Sequence, residues 1–551
     1  MIRYNRLNSL LIFFTILFVS IVGRLMYLQI GQKDDLTEQA VKQRAIDTKL
    51  KVVRGNIYDR RMIPFTNAQE KLYIVAVPNF MKDFEEISRR LAYFTGYGQQ
   101  EIVKMLERQK PVIFVVEAYE RSDVETQLEH PGIKIVKLNK RYGDRSLARH
   151  LVGYVNDTDD VGYAGIEKVF NQQLTVNKSQ SIGMIGDAFK RSIPGLGYRV
   201  TNCFNEKDHV GIRLTLDYHI QRIVEEVMDR KIRSGAVVIA DIDSGDILAM
   251  ASRPNYSQNH IEQYMDSKDG ELVNKVFAAY DLGSIFKIIV ATAALEDKVV
   301  SPQTLFHCTG HIDVDGKQFN CSSHMDGHGE VDFLHAFAYS CNSTFIDVGL
   351  KVGYNPIVSM AKRFGLGRPV DLLDGLYEQS GYIPENRYVS SREIANISIG
   401  QGEILVTPIQ VVDMVTTIAN NGVRKKLNIA DAVVTDMGNT ITDIRQKDDT
   451  RIISARVAEK IQRMMEEVTL SGTGTKANLD EYGGTAGKTG SAETGWMVDG
   501  ETKVHAWFAG YFPAQKPKYA MVILVDNGRW GGSTAAPIFR DIAEQVMKLN
   551  Y

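Results

Sequence analysis

The chain of 551 residues is 44% hydrophobic and 24% charged, which is typical of a folded protein with more than one domain and unlike a disordered or fibrous chain. Its 65 lysines and arginines nearly balance its 67 aspartates and glutamates. No overall positive field would attract a polyanion, so the composition excludes a general role in binding nucleic acid.

The N-terminal region contains one long apolar run, Asn8–Ile30, in which Arg24 is the only charged residue. About 20 apolar residues suffice to cross a bilayer, so residues 8–30 are predicted to be a transmembrane anchor. Arg3 and Arg6 precede the run, and the positive-inside bias predicts a cytoplasmic tail at residues 1–7 with the rest of the chain outside. A cleaved signal peptide is the alternative, but the run exceeds an h-region of about 7 to 15 residues and lacks a small-residue cleavage pattern.

Residues 31–205 form a mixed region in which no catalytic constellation is evident. Leu72–Pro78 and Pro111–Ala118 have the composition of strands, and Asp83–Phe94 has the periodicity of an amphipathic helix. We interpret this region as a non-catalytic spacer that holds a second domain away from the membrane.

The second domain is expected at residues 206–551, beginning within the polar and glycine-containing segment Pro194–Gly211. Asp217 stands where the N-cap of an amphipathic helix is expected. The apolar face of that helix is predicted to consist of Ile220, Ile223, Val224 and Val227.

Strands are expected near both ends of this domain. Gly235–Ser252 predicts an antiparallel hairpin around an Asp-Ser-Gly turn. Val504–Asp526 predicts a second strand pair, followed by a final helix at Phe539–Leu549. Helical segments between the two pairs favour an α+β domain whose sheet is closed by both ends of the domain.

Ser284 and Lys287 stand at the head of an apolar segment, three residues apart, which places both side chains on one face of a helix beginning near Ser284. A serine hydroxyl is a weak nucleophile until a base accepts its proton, and desolvation lowers the pKa of a lysine enough to make it that base. The spacing alone is a weak signal, because Ser359 and Lys362 share it. We expect those two to be surface residues of an ordinary helix.

Two further motifs make the pattern specific. S-x-N occurs at Ser340 to Asn342, although Ser257 to Asn259 also fits it, and K-T-G begins at Lys488. The order S-x-x-K, S-x-N, K-T-G is the signature set of penicillin-binding proteins and class A β-lactamases. Neither of the duplicate motifs completes that order without losing the apolar helix or the strand frame of the domain.

With these motifs, the chain resembles a class B, monofunctional penicillin-binding protein of the division, elongation or sporulation type. One departure is Leu282, where the family usually has proline, and it removes no reactive group. The resemblance implies an α+β transpeptidase domain like that of β-lactamases and penicillin-binding proteins, with helices on both sides of an antiparallel sheet. It also implies an elongated mixed α/β pedestal behind one N-terminal transmembrane helix. The matching stretches are Arg54–Phe65, Gly143–Val155, Gly162–Phe170, Asn274–Lys287, Ser398–Gln410, His505–Pro513 and Ala535–Ile542.

The resemblance implies a role for each motif residue. Ser284 would attack the carbonyl of the penultimate D-Ala of a stem pentapeptide, Lys287 would accept the proton, and the terminal D-Ala would leave. Ser340, helped by Asn342, would relay a proton to the leaving amine, and Asn342 would also hold the substrate amide. Lys488 would add positive charge to the cleft, and Thr489 and Ser491 would bind the substrate carboxylate. Gly490 would let the substrate backbone approach the strand. The backbone N–H groups of Ser284 and Ser491 would form the oxyanion hole. No cofactor is implied for catalysis.

The implied partners are peptidoglycan stem peptides, β-lactam antibiotics, the membrane and a polytopic glycosyltransferase that polymerises the glycan. The spacer lacks glycosyltransferase motifs, which disfavours a bifunctional class A protein. A class A β-lactamase needs a water-activating glutamate in E-x-x-L-N, and Glu393 has its asparagine one residue too early and no leucine before it. The alternative functions are a membrane-anchored β-lactam sensor, a β-lactamase-related protein and a scaffold that only recruits partners.

Two cysteines lie between the first and second motifs, in a segment that reads C-x12-C-x2-H-x3-H from Cys308 and Cys321 to His324 and His328. Two thiolates and one or two imidazoles at this spacing suit tetrahedral Zn2+. Some class B relatives carry metal ligands in this stretch. We expect a structural zinc ion held by Cys308, Cys321 and His328.

The fourth ligand of such a site would be His324, Asp326 or His311. A disulfide between the two cysteines of the segment is the main alternative, because this side of the membrane can be oxidising. Free thiols beside solvated histidines are the third possibility. Cys341, inside S-x-N, is interpreted as a small, semi-buried residue.

Overall fold

The computed structural model contains two compact units. Unit 1 comprises Met1–Arg54, Gln69–Lys140 and Thr175–Asp208, and unit 2 comprises Gly55–Ala68, Arg141–Leu174 and His209–Tyr551. The structure describes residues 2–32, 45–52, 54–81, 83–108, 110–116, 119, 121–156, 161–175, 179–185, 198–202, 210–321, 326–385, 389–498 and 501–549. Two segments of the predicted spacer, residues 55–68 and 141–174, therefore belong to unit 2.

Unit 1 begins with helix α1, Ile2–Met26, which continues as a π-helical turn at Tyr27–Gly31. Among the described residues, Leu7–Gly31 is the one helical stretch that is long and apolar enough to cross a membrane. Its position and length agree with the anchor predicted at residues 8–30.

The other described helices of unit 1 are α2 (Phe84–Thr95), α3 (Gln99–Glu107) and α4 (Arg121–Gln127). Its described strands are β1 (Ala45–Val52), β3 (Gln69–Ala76), β4 (Val112–Val115), β5 (Ile133–Lys140), β6 (Ser179–Ile185) and β7 (Tyr198–Asn202). These strands form two antiparallel three-stranded sheets, in the orders β4-β3-β5 and β1-β6-β7.

The elements predicted within the spacer occur with shifted ends. The helix predicted at Asp83–Phe94 is α2, and Asp83 is its N-cap because the carboxylate accepts a hydrogen bond from Glu86 N at 3.1 Å. The strand predicted at Leu72–Pro78 is β3, and the strand predicted at Pro111–Ala118 is the shorter β4.

Unit 2 contains the remaining elements. Its helices are α5 (Arg149–Val152), α6 (Gly165–Val169), α7 (Asn171–Leu174), α8 (Tyr218–Lys231), α9 (Lys287–Glu296), α10 (Phe333–Ala338), α11 (Asn342–Val352), α12 (Tyr354–Arg363), α13 (Ser391–Ser398), α14 (Pro408–Ala419), α15 (Ala455–Leu470) and α16 (Ala536–Met547). Its strands are β2 (Ile57–Tyr58), β8 (Val210–Leu214), β9 (Gly235–Asp241), β10 (Ile247–Arg253), β11 (Tyr280–Asp281), β12 (Leu305–Cys308), β13 (His311–Val314), β14 (Lys317–Asn320), β15 (Gly329–Asp332), β16 (Leu405–Val406), β17 (Val423–Lys425), β18 (Ala430–Thr435), β19 (Thr440–Asp443), β20 (Asp449–Arg451), β21 (Ala486–Val498), β22 (Glu501–Phe512) and β23 (Tyr519–Gly528).

A five-stranded antiparallel sheet, in the order β10-β9-β23-β22-β21, lies at the centre of unit 2. Successive side chains of a strand point to opposite faces, and both faces are buried here. Val238 and Val522 pack in one core with α9, α14 and α15, whereas Val237 and Ile523 pack in a second core with α8 and α16. The predicted α+β domain, with helices on both sides of a sheet built from both ends, is confirmed.

The two helices that pack in the second core, α8 and α16, begin at residues that suit a helix N-terminus. Asp217 caps α8, since its carboxylate accepts hydrogen bonds from His219 N at 3.0 Å and Ile220 N at 3.2 Å, and the four predicted apolar residues are buried. The last helix, α16, begins at Ala536 rather than Phe539, because Pro537 suits the first turn of a helix and extends it backward.

A short strand places part of the spacer in unit 2. Strand β2 pairs in parallel with β8, with Ile57 opposite Ile212, in the sheet β19-β18-β8-β2. Arg141 and Glu167 form a buried ion pair in the same unit, with Arg141 Nη2 and Glu167 Oε1 2.6 Å apart. Loss of either partner would leave an uncompensated buried charge.

His150, in α5, is largely enclosed, and its Nε2–H donates to Glu271 O at 2.6 Å. Burial lowers its pKa to about 4. An unfolded histidine takes up its proton near pH 6.5, so the folded state binds fewer protons between the two values. Stability is therefore lost as the pH falls from about 6.5 to about 4, by up to about 3 kcal/mol from this residue.

We predict that His150→Gln, which keeps a donor for Glu271 O, flattens the pH dependence of the free energy of unfolding between about pH 6.5 and about pH 4. Urea unfolding of the purified chain at several pH values measures this. His260→Gln, at an exposed position, is the matched control and keeps the wild-type slope. Equal slopes in His150→Gln and the wild type would contradict the prediction.

Candidate active site

The turn that carries Ser284 is packed against strand β21. Gly283 has a φ of 62°, and a Cβ there would lie 2.7 Å from Ser491 O, so only glycine fits. Ser284 belongs to a short 3-10 helix, Gly283–Phe286, that leads directly into α9 at Lys287. Side chains three residues apart eclipse in a 3-10 helix, so Ser284 and Lys287 share one face as predicted.

The amine of Lys287 is fully buried and held by the S-x-N motif. Lys287 Nζ donates to Ser340 O at 2.7 Å, to Ser340 Oγ at 3.0 Å and to Asn342 Oδ1 at 2.7 Å. The ring of Phe345 lies on another side, with its centroid 5.5 Å from Nζ. The sequence therefore brings the first two motifs together through one lysine.

The backbone of Ser340 explains how one residue contacts this amine twice. Ser340 lies between α10 and α11 with a φ of 58°, a left-handed conformation that is uncommon for serine. In this conformation both its carbonyl and its hydroxyl reach Lys287 Nζ. Asn342 is held from the opposite end, because its Nδ2 donates to Asn320 O at 3.0 Å.

The protonation of Lys287 follows from this enclosure. Burial lowers the pKa of Lys287 to about 8, against the opposing effect of the Cys341 and Cys321 thiols. A lysine with this pKa is neutral in a larger fraction of molecules at neutral pH than an exposed lysine. The amine is therefore suited to accept a proton.

Lys488 brings a second buried amine from strand β21 to the same region. Burial, and then the positive charge of Lys287, lower the pKa of Lys488 well below its usual value. Its Nζ lies 5.7 Å from the centroid of Phe337 and donates to Thr489 O at 3.3 Å. An anion entering beside Lys488 would stabilise the charged form of this amine.

The rest of the strand motif is closely packed. A Cβ on Gly490 would lie 2.9 Å from Leu282 O, so this glycine allows the strand to approach the serine turn. Leu282, at the position where the family usually has proline, is fully buried. Ser491 Oγ accepts a hydrogen bond from Gly531 N at 3.0 Å, and Thr489 Oγ1 lies 2.6 Å from Thr473 Oγ1.

Sequence reasoning did not find Thr473 and Gly531, which contact the strand motif from distant parts of the chain. Thr473 is flanked by glycines, and a second pair of glycines follows Trp530, but such patterns are common in loops and indicate a site only once the fold is known.

The duplicate motifs lie apart from this constellation, as expected. Ser359 is exposed on α12, and Lys362 Nζ pairs with Glu385 Oε1 at 2.5 Å. Asn259 uses its Nδ2 to donate to Tyr142 O at 3.2 Å. These contacts are structural.

Glu393, the nearest candidate for a water-activating glutamate, has a capping role. It is the third residue of a capping box at the start of α13, where Glu393 Oε2 accepts from Ser390 N at 2.9 Å and Ser390 Oγ accepts from Glu393 N at 3.3 Å. This carboxylate therefore caps the N-terminus of α13.

Four potential metal ligands meet beside the S-x-N motif. The Sγ atoms of Cys308, Cys321 and Cys341 and a ring nitrogen of His328 all lie within 4.8 Å of one another. All three cysteines are buried free thiols. Cys341 was interpreted as a small, semi-buried residue, but it is fully buried, and the turn between α10 and α11 places its thiol beside the other two.

Two of the three candidates for the fourth ligand lie outside this group. Asp326 and His311 are exposed and lie outside it, and His324 lies outside the described residues. The Sγ atoms of Cys321 and Cys341 are 3.8 Å apart, and Cys321 Sγ is 3.5 Å from His328 Nδ1. The hydrogen bond with Cys341, more than the nearby His328, lowers the pKa of Cys321 to about 4, so a thiolate is favoured there.

Comparison with known proteins agrees with this geometry. Residues 235–544 match the family model of the penicillin-binding protein transpeptidase domain, and residues 49–186 match that of the penicillin-binding protein dimerisation domain. The chain is 28% identical over 565 residues to stage V sporulation protein D of Bacillus subtilis, covering 98% of this chain and 84% of the relative. It is 25% identical over 551 residues to the peptidoglycan D,D-transpeptidase FtsI of Escherichia coli, covering 96% and 89%.

The fold is also similar to that of a solved structure. The crystal structure of penicillin binding protein 3 from Mycobacterium tuberculosis superimposes with a TM-score of 0.62 at 24% identity, covering 91% of this chain and 96% of that one. Together with the two matched domains, these similarities show that the chain belongs to the class B penicillin-binding proteins.

Proposed function

We propose that the chain is a serine D,D-transpeptidase that cross-links peptidoglycan stem peptides through an acyl-enzyme and is inhibited covalently by β-lactams. Several relatives are named peptidoglycan D,D-transpeptidases. The observation that carries the proposal is the buried Lys287 amine, one turn from Ser284 and hydrogen-bonded to Ser340 and Asn342.

In the first step, Ser284 Oγ attacks the carbonyl carbon of the penultimate D-Ala, and Lys287 Nζ accepts the hydroxyl proton. With a pKa of about 8, about one tenth of the lysines are neutral at pH 7. Ser340 Oγ, in contact with Lys287 Nζ, passes a proton to the departing D-Ala amine. The acyl-enzyme forms as the peptide bond breaks.

The strand motif supplies the binding groups. The backbone N–H groups of Ser284 and Ser491 form the oxyanion hole, each worth about 3 to 4 kcal/mol in other acyl-transfer enzymes. Thr489 and Ser491 bind the substrate carboxylate, and Lys488 adds positive charge once that anion is present. An amine of a neighbouring stem peptide then attacks the acyl-enzyme and completes the cross-link.

Slow hydrolysis of the acyl-enzyme is expected because Glu393, the candidate that sequence offered for activating water, is bound in a capping box. This supports trapping by β-lactams and leaves the β-lactamase-related alternative without a specific observation in its favour. The sensor alternative likewise gains no support.

We also propose where the protein acts and which partner it needs. The apolar helix at Leu7–Gly31 supports a single-pass membrane protein with a cytoplasmic N-terminus and an extracytoplasmic catalytic domain. The family resemblance supports a polytopic glycosyltransferase as the partner that makes the glycan strands.

We predict that a fluorescent penicillin labels the purified chain covalently and that Ser284→Ala abolishes the labelling. Ser359→Ala, which changes the exposed serine of the duplicate motif, is the matched control and keeps full labelling. Gel fluorescence after denaturation measures both. Persistent labelling of Ser284→Ala would show that another residue is the nucleophile.

We further propose that the cysteine cluster holds one structural zinc ion, with Cys341 rather than His324, Asp326 or His311 as the fourth ligand. Tetrahedral zinc with Zn–S bonds of about 2.3 Å places two sulfurs about 3.8 Å apart, which is the Cys321–Cys341 separation. The donor set of three thiols and one imidazole suits this metal. When bound, the ion would supply a cross-link between the segment around Cys321 and the S-x-N turn.

The zinc proposal predicts about one zinc per chain by elemental analysis and a lower melting temperature in the presence of a chelator. Cys341→Ser is expected to lower both the zinc content and the melting temperature. Cys203→Ser, which changes the remaining cysteine, is the control and keeps both. An intact disulfide between Cys308 and Cys321 in native material would overturn the proposal.

A further inference from the structure

Thr473 lies in the loop that follows α15 and contacts both the strand motif and the segment just before S-x-N. Its N–H donates to Ala338 O at 3.1 Å, and its hydroxyl lies 3.4 Å from the same carbonyl, two residues before Ser340. Its Oγ1 is 2.6 Å from Thr489 Oγ1 on strand β21. One side chain thus connects the segment before S-x-N with the strand that the proposed function assigns to carboxylate binding.

The loop is held in place by backbone on both sides. A Cβ on Gly472 would lie 2.3 Å from Ala338 O, and a Cβ on Gly532 would lie 2.4 Å from Thr473 O. Gly532 follows Gly531, whose N–H donates to Ser491 Oγ. Thr473 is therefore closely packed between these backbone segments, with its hydroxyl beside that of Thr489.

The number of hydroxyl hydrogens limits how Thr473 and Thr489 can be hydrogen-bonded. Each threonine hydroxyl has one hydrogen to donate, and a separation of 2.6 Å requires that one of the two hydroxyls donates to the other. If Thr473 donates to Ala338 O, Thr489 must donate to Thr473 and has no hydrogen left for an anion. If Thr473 donates to Thr489, the Thr489 hydrogen is free to point into the cleft.

We propose that Thr473 is a positioning residue for recognition of the substrate carboxylate: it donates its hydroxyl hydrogen to Thr489, which then donates to the carboxylate. This inference rests on the proposed function of Thr489. Binding of the anion reverses the direction of the hydroxyl pair, and the Ala338 carbonyl keeps its bond from Thr473 N. Cooperative hydrogen bonds of this kind strengthen one another, and a charged acceptor increases the gain.

The test compares acylation by a penicillin and by the methyl ester of the same penicillin, which lacks the anion. In Thr473→Val, the preference for the carboxylate form is expected to fall about tenfold, through weaker binding rather than a slower bond-making step, while the rate with the ester stays unchanged. Thr473→Ser keeps the hydroxyl and restores the preference. Thr475→Val, at an exposed position of the same loop, is the control and behaves as the wild type.

A second test compares Thr489→Val with the double variant that also carries Thr473→Val. Adding Thr473→Val to Thr489→Val is expected to cause no further loss, because Thr473 acts through the Thr489 hydroxyl. If Thr473→Val is too unstable to purify, Thr473→Ala makes the same comparison with a smaller side chain.

Three results would count against the inference. An unchanged preference in Thr473→Val, an equal loss with acid and ester, or losses that add to those of Thr489→Val would each overturn it. Absence of acylation in the wild type would instead overturn the proposed function, so the two failures are distinguishable.

Discussion

The arrangement of the candidate active site in unit 2 depends on one buried amine, that of Lys287. Removing a charged or polar group from water is costly unless hydrogen-bond partners replace the water, and here two oxygens of Ser340 and one of Asn342 do so. The same enclosure that demands these partners lowers the pKa of the lysine toward neutrality. The cost of burial and the capacity to accept a proton therefore have one cause, and the left-handed backbone of Ser340 is part of meeting that cost.

Close backbone contacts bring the third motif to this amine. Glycine at 283 and at 490 lets the serine turn and strand β21 approach within distances that any side chain would prevent. The central sheet fixes β21 at its edge, where the strand packs against the serine turn, and Thr473 and Gly531 contact its hydroxyls from two loops. The site is thus a junction of an apolar helix, a turn between two helices and an edge strand.

Local signals in the sequence predicted most of the parts. The order of three short motifs indicated the site, two strand-like segments around an Asp-Ser-Gly turn indicated the hairpin of β9 and β10, and Asp217 indicated a helix start. Contacts that depend on tertiary structure were not predictable from local pattern. Thr473 resembles any loop threonine, and Cys341 resembles any small core residue, until the fold places their side chains.

The division of the chain into the two units also could not be predicted from the order of its segments. Strand β2 is too short to recognise, and it belongs to unit 2 because its backbone pairs with β8, far along the chain. The buried pair of Arg141 and Glu167 acts within the same unit. A change in composition marks a boundary along the chain. Which segments belong to one compact unit depends instead on which strands pair in the folded protein.

The central claim, that a buried Lys287 accepts the serine proton, is tested most directly by the pH dependence of acylation. The second-order rate constant for a fluorescent penicillin should rise with pH as the amine loses its proton and level off above about pH 8. A rate constant that keeps rising to about pH 10, as for an ordinary exposed lysine, or one that does not change with pH, would contradict the account.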